Sequence, residues 1–280
     1  MPDLPRLGAC AYLNEIATVP GLGTFLLGGA RDIEIRDFTR IGALTGGRAE
    51  AIAARAKAVL QGHKGRVGIH GPFWGFGIDM GDPDLRAVVQ ARLDAGLTAL
   101  IHILGGRGGG HMVLHSPYTT WSWYNRGTEH DDSAGILERT HATIAPLARK
   151  ASDHGITLVL ENCEDKDPGE RVALAASFAS PAVRVSLDTG HAHYAHGATG
   201  GPPVDSFVRA AGAALVHVHL QDAEGFADRH WAIGRGTIRW NAVFAALADL
   251  PQMPRLMLEM ARPEDILVSA KWLKAQGLAA

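Results

Sequence analysis

Four side chains of the kind that bind divalent metals come at the ends of short apolar runs. The runs TLVLE, VRVSLD, LVHVHL and RLMLE carry Glu161, Asp188, His219 and Glu259. A charged group at the end of an apolar strand is costly to bury unless it is paired or bound to a metal. Three carboxylates and one imidazole form an oxygen-rich ligand set that suits Mn²⁺, Mg²⁺ or Co²⁺ and leaves positions for a substrate. We therefore predict a metal site at these four residues.

Further ionisable residues occupy comparable positions. His70 ends the run VGIH, His102 lies in ALIHIL, and His191 follows Asp188 by three residues. Asp228 and His230 lie in the segment ADRHWAIGRGTIRW. We predict that this second set binds either an additional metal or the substrate.

Each of these residues has a simpler interpretation when it is taken alone. A single strand histidine is more often a hydrogen-bonded core residue than a ligand, and a single strand-end glutamate can pair with an arginine. His217 shares a strand face with His219 because side chains alternate along a strand. It lies two residues earlier, so we expect it to pack inside the protein or to support a ligand through a hydrogen bond. The convergence of many such residues favours the metal site.

Eight β-type runs alternate with helical patterns along the chain. The predicted strands cover residues 7–13, 32–38, 67–70, 99–104, 157–161, 183–188, 215–220 and 255–259. Predicted helices cover 48–60, 82–95, 133–154, 168–179, 240–250 and 263–276, with a weaker one near 16–27. This alternation predicts a (β/α)₈ TIM barrel formed by residues 1–280 as a single domain. The alternative, a doubly wound open sheet, lacks the G-x-G-x-x-G motif of dinucleotide binding after its first strand.

Active sites of such barrels lie at the carboxyl ends of the strands. The predicted ligands all stand at that end of their strands, so the fold would bring them to one rim. The positions of the predicted metal ligands along the chain are therefore consistent with the predicted barrel.

The motifs LVLENCE, VSLDTGHAHY, VHVHLQD, DRHWAIGRGTIRW and LMLEM resemble those of the xylose isomerase-like TIM barrel superfamily. That group holds sugar and sugar phosphate isomerases and epimerases, inosose dehydratases and the endonuclease IV (AP endonuclease family 2) group. The resemblance implies that Glu161, Asp188, His219 and Glu259 are metal ligands. Mn²⁺ is the metal we expect first, with Mg²⁺, Co²⁺ or Zn²⁺ as alternatives.

The epimerase branch implies a divalent-metal-dependent sugar or polyol isomerase/epimerase. Glu161 and Glu259 would then be the catalytic pair, one removing a proton next to a carbonyl and the other returning it. His191 resembles the residue that hydrogen-bonds a substrate oxygen. The arginine that epimerases place shortly after strand seven is missing, and Arg229 or Arg235 is the nearest substitute.

Two alternatives remain open. One is a keto-cyclitol (inosose-type) dehydratase/lyase, in which the same proton removal leads to loss of hydroxide. The other is an endonuclease IV-like metal phosphodiesterase, whose three-metal cluster would be matched here by His70, His102, Asp228, His230 and His191. About one bound metal is expected for an epimerase and up to three for the nuclease-like enzyme.

The longest predicted loop, residues 105–132, contains Trp121, Trp123 and Tyr124. A long loop over a barrel mouth is commonly a lid or binding loop, and clustered aromatic rings suit stacking against a sugar. An oligomer contact is the alternative for this cluster. We predict these three residues, with His191 and Arg229, to bind the substrate.

Composition limits the classes of partner. The 280 residues are 46% hydrophobic and 20% charged, with a net charge of −2, which is typical of a soluble globular protein. No basic run favours nucleic acid, no apolar stretch is long enough for a membrane span, and no secretory signal is evident. The two cysteines, Cys10 and Cys163, are expected to be buried thiols. We expect a cytoplasmic enzyme with a small-molecule carbohydrate substrate, no nucleic acid or membrane partner, and a homo-oligomer as one alternative to the monomer.

Overall fold

Eight parallel strands form a closed barrel in which each strand pairs with its sequence neighbours and the last pairs with the first. The computed structural model describes residues 4–280. The strands are β1 Leu7–Ala11, β2 Ile33–Ile35, β3 Val67–His70, β4 Gly110–His115, β5 Ile156–Glu161, β6 Val183–Asp188, β7 Leu215–Leu220 and β8 Arg255–Glu259. The predicted (β/α)₈ architecture is confirmed.

Within residues 4–280, ten α-helices connect the strands and form the outer layer. They are α1 Leu13–Thr18, α2 Arg48–Val59, α3 Pro83–Leu104, α4 Thr120–Tyr124, α5 Ser133–Asp153, α6 Pro168–Ser177, α7 Thr189–Thr199, α8 Val204–Ala211, α9 Trp240–Ala248 and α10 Glu264–Ala275. The weak prediction near 16–27 corresponds to the short α1 and a π-helical turn at Thr24–Gly28.

The predicted fourth strand at 99–104 is wrong. These residues form the last turns of α3, and the strand begins six residues later at Gly110. A short apolar run fits a buried helix as well as a strand, so its periodicity could not decide between them. Asp82 caps the helix through its side chain, and Gly105 ends it in the left-handed conformation at φ +57°.

This shift removes His102 from the predicted rim. His102 lies on α3 in the outer layer, where it faces a groove lined by Glu50, Asp94 and several alanines. The candidate ligand in the fourth strand position is instead His115, the last residue of β4.

Within residues 4–280, one helix, α3, is long and apolar enough to cross a membrane by length and composition alone. It packs against α2 and α5, and eight of its residues are buried. Its apolar face therefore belongs to the layer between the helices and the barrel.

Strand register stacks polar side chains in two levels inside the barrel. Ser186 of β6 lies opposite His217 of β7, and two residues further along Asp188 lies opposite His219. Because strand side chains alternate, all four point to the same side of the wall. All four side chains are buried. Asp188 and His219 are nearer the carboxyl ends of their strands and form the upper level, whereas Ser186 and His217 form a lower level deeper in the barrel.

Candidate metal centre

His219 lies between two carboxylates at the end of the barrel. Its Nδ1 contacts Glu161 Oε1 at short hydrogen-bond distance and lies 3.2 Å from Glu259 Oε2. The three residues end or nearly end β5, β7 and β8, and each is at least 98% buried. The tertiary structure thus brings together three of the four predicted ligands around one imidazole nitrogen.

Asp188, the fourth predicted ligand, is fixed by its neighbours. Its Oδ1 accepts hydrogen bonds from the backbone N–H of His191 at 2.7 Å and from Gln221 Nε2 at 3.1 Å. The first of these bonds caps α7, which explains the three-residue spacing between Asp188 and His191. The side chain of Asn162 also fixes the backbone of Asp188. Its Oδ1 accepts from Asp188 N, and its Nδ2 donates to Asp188 O.

The other oxygen of Asp188, Oδ2, is buried and has no hydrogen-bond partner among residues 4–280. An unpartnered buried carboxylate oxygen is unfavourable, because ionised oxygens need donors or a cation when water is excluded. Burial, offset only partly by His191, raises the pKa of Asp188 to about 6. The position is therefore suited to a bound cation.

On one side of this centre, two histidines face Glu161. The Nε2 atoms of His115 and His70 lie 3.5 Å and 3.9 Å from Glu161 Oε2. The two oxygens of Glu161 are thus divided, one toward His219 and one toward these two rings. Glu161 would therefore be available as a ligand on either side.

On the other side, Asp228 joins two histidines. His191 Nε2 lies 3.4 Å from Asp228 Oδ2, and His230 Nε2 lies 3.1 Å from Asp228 Oδ1. Gln221 fastens this group to the centre, since its amide donates to both Asp188 and Asp228 and accepts from His230 N at 2.9 Å.

Three of these histidines share an orientation. The Nδ1 atoms of His70, His191 and His230 each donate to a backbone carbonyl, those of Gly71, Asn162 and Glu259, at 3.0, 2.8 and 3.2 Å. This bond keeps a proton on Nδ1, so in the neutral ring Nε2, which faces the carboxylates, would be the nitrogen that carries the lone pair. Orientation of this kind is typical of metal-ligating histidines.

The loop between β7 and α9 is held in place by Asp222. Its Oδ2 accepts from Gly234 N at 2.8 Å and from Trp240 Nε1 at 3.0 Å. A side chain at Gly236 would collide with the backbone oxygen of Ala223, because an ideal Cβ would lie 2.2 Å from it. The loop also forces His230 to φ +47°, an uncommon conformation for a non-glycine residue that persists at sites where surrounding contacts determine it.

The electrostatics of the centre favour positive charge. Burial alone would lower the pKa of His219, but Glu259, Glu161 and Glu34 outweigh it and raise that pKa well above its ordinary value. Burial likewise opposes ionisation of Glu259, yet His219, His230 and Arg36 lower its pKa to about 2. The carboxylates are therefore ionised, and the site concentrates negative charge that a divalent cation would neutralise.

These observations meet the requirements of a metal site. Three groups of ligand atoms at the rim are close enough to hold a cation: His70 with Glu161 and His219, His115 with Glu161 and Cys163, and His191 with Asp228 and His230. The assignment of Glu161, Asp188, His219 and Glu259 to a central divalent cation stays a prediction. His102 belongs to none of these groups.

The aromatic loop, residues 116–132, contains α4 and lies over the end of β4. Lys166 Nζ lies 4.1 Å and 4.3 Å from the ring centroids of Trp123 and Tyr124, and Tyr124 Oη donates to Thr199 O. Trp121 is 72% exposed. Two of the three predicted aromatic residues therefore fasten the loop, and Trp121 is available to a ligand.

A cavity of about 310 Å³ opens beside the centre and is lined by His115, Cys163, Glu164, His191, Tyr194 and Asp228. Its volume is at the lower end of the range for small-molecule sites. Arg229, which we predict to bind substrate, pairs instead with Glu224 at 2.6 Å and is partly exposed. The guanidinium is thus already engaged by a carboxylate of its own loop.

Sequence reasoning missed three residues of the centre, His115, Arg36 and Gln221, and also Glu34, which lies beneath it. His115 was hidden by the misplaced fourth strand, although its position before a Ser-Pro turn was visible. Glu34 and Arg36 lie on and just after a three-residue strand with little pattern of its own. Gln221 follows His219 by two residues, and this shared strand phase was the available signal.

The fold and the cluster of carboxylates and imidazoles define a class of protein. It is a TIM barrel that carries residues of the kinds that bind metals at the carboxyl ends of its strands. Within that class, the family described as xylose isomerase-like TIM barrel matches residues 29–276. The chain belongs to this family.

Other proteins share part of the sequence or the fold. An uncharacterized protein of Methanocaldococcus jannaschii is 26% identical over 171 residues, which span 58% of this chain and 55% of that protein. Among solved structures, a D-tagatose 3-epimerase-like protein superposes with a TM-score of 0.75 at 18% identity, covering 98% of each chain. An AP endonuclease family 2 protein from Brucella melitensis superposes with a TM-score of 0.66 at 18% identity, covering 97% of this chain and 99% of its own. At these identities the structures show the shared fold alone.

Proposed function

We propose that this protein is a divalent-metal-dependent sugar or polyol isomerase/epimerase. The observation that carries the proposal is that Glu161 and Glu259, from two different strands, each lie within reach of the same nitrogen of His219. Structural likeness to a D-tagatose 3-epimerase-like protein supports it. We further propose Mn²⁺ as the native metal, with Mg²⁺, Co²⁺ or Zn²⁺ as the alternatives.

The metal would polarise a substrate carbonyl and so make the neighbouring C–H more acidic. Glu161 and Glu259 enter from β5 and β8, so a sugar seated between them presents one face of its carbon to each carboxylate. One of them accepts the proton from carbon, and the other, once protonated, donates a proton to the opposite face. The net result is inversion at carbon, with no change in composition.

Neighbouring residues would orient the substrate. His191 lines the cavity and already has its Nδ1 engaged by a backbone carbonyl, so its Nε2 is directed toward a ligand or toward Asp228. Trp121 extends from the aromatic loop and offers a ring face to a sugar. Arg36 holds one oxygen of Glu259, which limits how far that carboxylate can move.

A second function, metal-assisted hydrolysis of a phosphodiester, is favoured by one observation. Further groups of possible ligands lie near His219 and Glu161, namely His115 with Glu161 and Cys163, and His191 with Asp228 and His230. Multi-metal centres are characteristic of enzymes that cleave phosphodiesters. The net charge of −2 gives no support for a nucleic acid substrate.

Solvent exchange separates the candidates. The metal-loaded protein is incubated in D₂O with a panel of keto-sugars and keto-cyclitols, and deuterium incorporation is followed by NMR. The epimerase proposal expects deuterium next to the carbonyl together with a new epimer. Uptake accompanied by loss of water would instead identify a dehydratase, and cleavage of an abasic DNA oligonucleotide without any exchange would identify the phosphodiesterase.

Metal content gives a second, independent measurement. About one ion per chain is expected for the isomerase/epimerase, and up to three for the phosphodiesterase. Replacing Asp188 by Asn should weaken binding of the central ion, whereas the exposed Asp249→Asn should not.

The partners and location follow from the same proposal. We propose a small carbohydrate as the partner, without nucleic acid or membrane, in a cytoplasmic protein whose two cysteines are free thiols. A homo-oligomer is the assembly we propose to test by light scattering.

A further inference from the structure

Glu34 lies beneath the metal centre and contacts three imidazoles. It is fully buried on β2. Its Oε1 lies 2.8 Å from His219 Nε2, while Oε2 lies 2.6 Å from His111 Nε2 and 3.0 Å from His217 Nε2. Each oxygen of this buried carboxylate therefore has an imidazole nitrogen as a hydrogen-bond partner.

The far end of this group is fixed by Arg255. Its guanidinium contacts His111 Nδ1 at short hydrogen-bond distance and also donates to Gly109 O. A guanidinium can only donate, so His111 Nδ1 must be the acceptor. Burial and Arg255 lower the pKa of His111 to about 3, so the ring is neutral and its single proton is on Nε2. That proton is donated to Glu34 Oε2.

The direction of the hydrogen bond between Glu34 and His219 follows from this. Because Glu34 already accepts the His111 proton at Oε2, we assign its Oε1 as the acceptor of a bond from His219 Nε2. The nitrogen that remains, Nδ1, is the one that faces Glu161 and Glu259. Arg255 therefore donates to His111, and His111 donates to Glu34. Glu34 in turn accepts from His219 and so determines which nitrogen of His219 faces the centre.

We propose that Glu34 is a positioning residue, which through the Arg255–His111 contact determines that His219 presents Nδ1 to the metal. This inference rests on the metal site of the proposed function. Glu34 does not itself reach the centre, and its role differs from that of a ligand. A glycine on the neighbouring strand makes room for the arrangement, since a Cβ at Gly68 would lie 2.2 Å from the His111 ring.

Glu34→Gln provides a directional test. An amide offers one oxygen and one NH₂ group, and His111 Nε2–H still requires the oxygen. The NH₂ group then faces His219 Nε2, which must accept, and the ring proton moves to Nδ1. We expect the affinity for Co²⁺ or Mn²⁺ to fall by about 10- to 100-fold, the range observed when such hydrogen-bond partners of ligands are removed.

Two further variants distinguish orientation from general damage. Ser186→Ala is the matched control, because Ser186 contacts His217 Nδ1 in the same interior but touches neither Glu34 nor His219. It should keep the wild-type affinity. Arg255→Met frees His111 to accept from the amide, so the double variant E34Q/R255M should bind metal more tightly than E34Q alone.

The experiment titrates Co²⁺ into each folded protein and records affinity and the visible absorption spectrum, with circular dichroism as the check on folding. Weaker binding and an altered spectrum in E34Q, with recovery in E34Q/R255M, would support the inference. Wild-type affinity and spectrum in E34Q would overturn it, as would a double variant no better than E34Q. A wild-type protein that binds no divalent metal would instead overturn the proposed function.

Discussion

Arg36 Nη2 lies 3.4 Å from Glu259 Oε1, and the guanidinium also donates to the backbone oxygen of Met260. One oxygen of Glu259 is therefore held from the β2 side, and the other faces His219 and His230. The pair explains how a carboxylate at the end of β8 can be both fixed and directed into the centre. It also gives Glu259 a defined position from which to exchange a proton with a substrate.

Glu259→Gln should abolish proton transfer while the fold is retained. We expect solvent deuterium exchange at saturating metal to fall by about 10²- to 10⁴-fold, because an amide cannot accept a proton from carbon. NMR of a keto-sugar in D₂O measures the rate. The exposed Glu264→Gln is the control, since it changes the same group on α10. Exchange at the wild-type rate in E259Q would show that another residue is the base.

Gly236→Ala should destabilise the loop that carries Asp228 and His230. The added Cβ would lie 2.2 Å from Ala223 O and 2.3 Å from Asp222 Oδ1, so the backbone must shift. We expect a loss of about 1–3 kcal/mol in the free energy of unfolding, as is typical of overpacking. Urea denaturation measures it. Gly42→Ala is the matched control, because a Cβ there meets nothing within 4 Å. Equal stability of the two variants would contradict the inference that a side chain at Gly236 collides with the loop backbone.

Trp121→Ala should weaken substrate binding and leave the barrel intact. Trp121 is 72% exposed on α4, while Trp123 and Tyr124 are engaged by Lys166. We expect KM for the keto-sugar identified by exchange to rise by about 10-fold, corresponding to the loss of roughly one stacking interaction, with kcat nearly constant. Val268→Ala, an exposed apolar residue on α10, should change neither. An unchanged KM in W121A would remove Trp121 from the proposed binding surface.

Glu170 should make stability depend on pH. Burial, only partly offset by Arg126, raises its pKa from 4.5 to about 7 in the folded protein. The folded state therefore retains a proton that the unfolded chain releases between about pH 4.5 and 7. The contribution of Glu170 to stability is full below this window and is lost as the pH rises through it.

Glu170→Gln cannot titrate, so it removes this contribution to the pH dependence. Urea unfolding of both proteins at pH 5 and pH 8 gives the comparison, and the difference between the two pH values should be smaller for the variant. Parallel losses in the wild type and E170Q would mean that Glu170 has an ordinary pKa.

Much of the fold and part of the centre were predictable from the sequence. Seven of the eight strands were located because short β-branched and apolar runs ended in polar residues or glycine. The error at 99–104 arose because ALIHIL satisfies both helical and strand patterns, and only the cap at Asp82 and the packing of α3 against α2 and α5 decided between them. That error carried His102 into the predicted site and left His115 out.

Local sequence patterns did not predict the other residues of the centre, or Glu34 beneath it. Arg36, Glu34 and Gln221 act through contacts with residues 185 or more positions away or across a loop, and nothing in their own segments marks them. Arg229 has the type and position suited to a substrate and pairs with the nearby Glu224 in this structure, and its role stays a prediction.

The sequence by itself determined the barrel and the residue types at the strand ends, because hydrophobic periodicity and charge placement are local properties of the chain. Only the tertiary structure decided how those groups are divided and oriented. It set the two oxygens of Glu161 toward different histidines, left Asp188 Oδ2 without a partner among the described residues, and placed Glu34 beneath His219. These relationships depend on strand register and barrel closure, which bring together residues from distant parts of the chain.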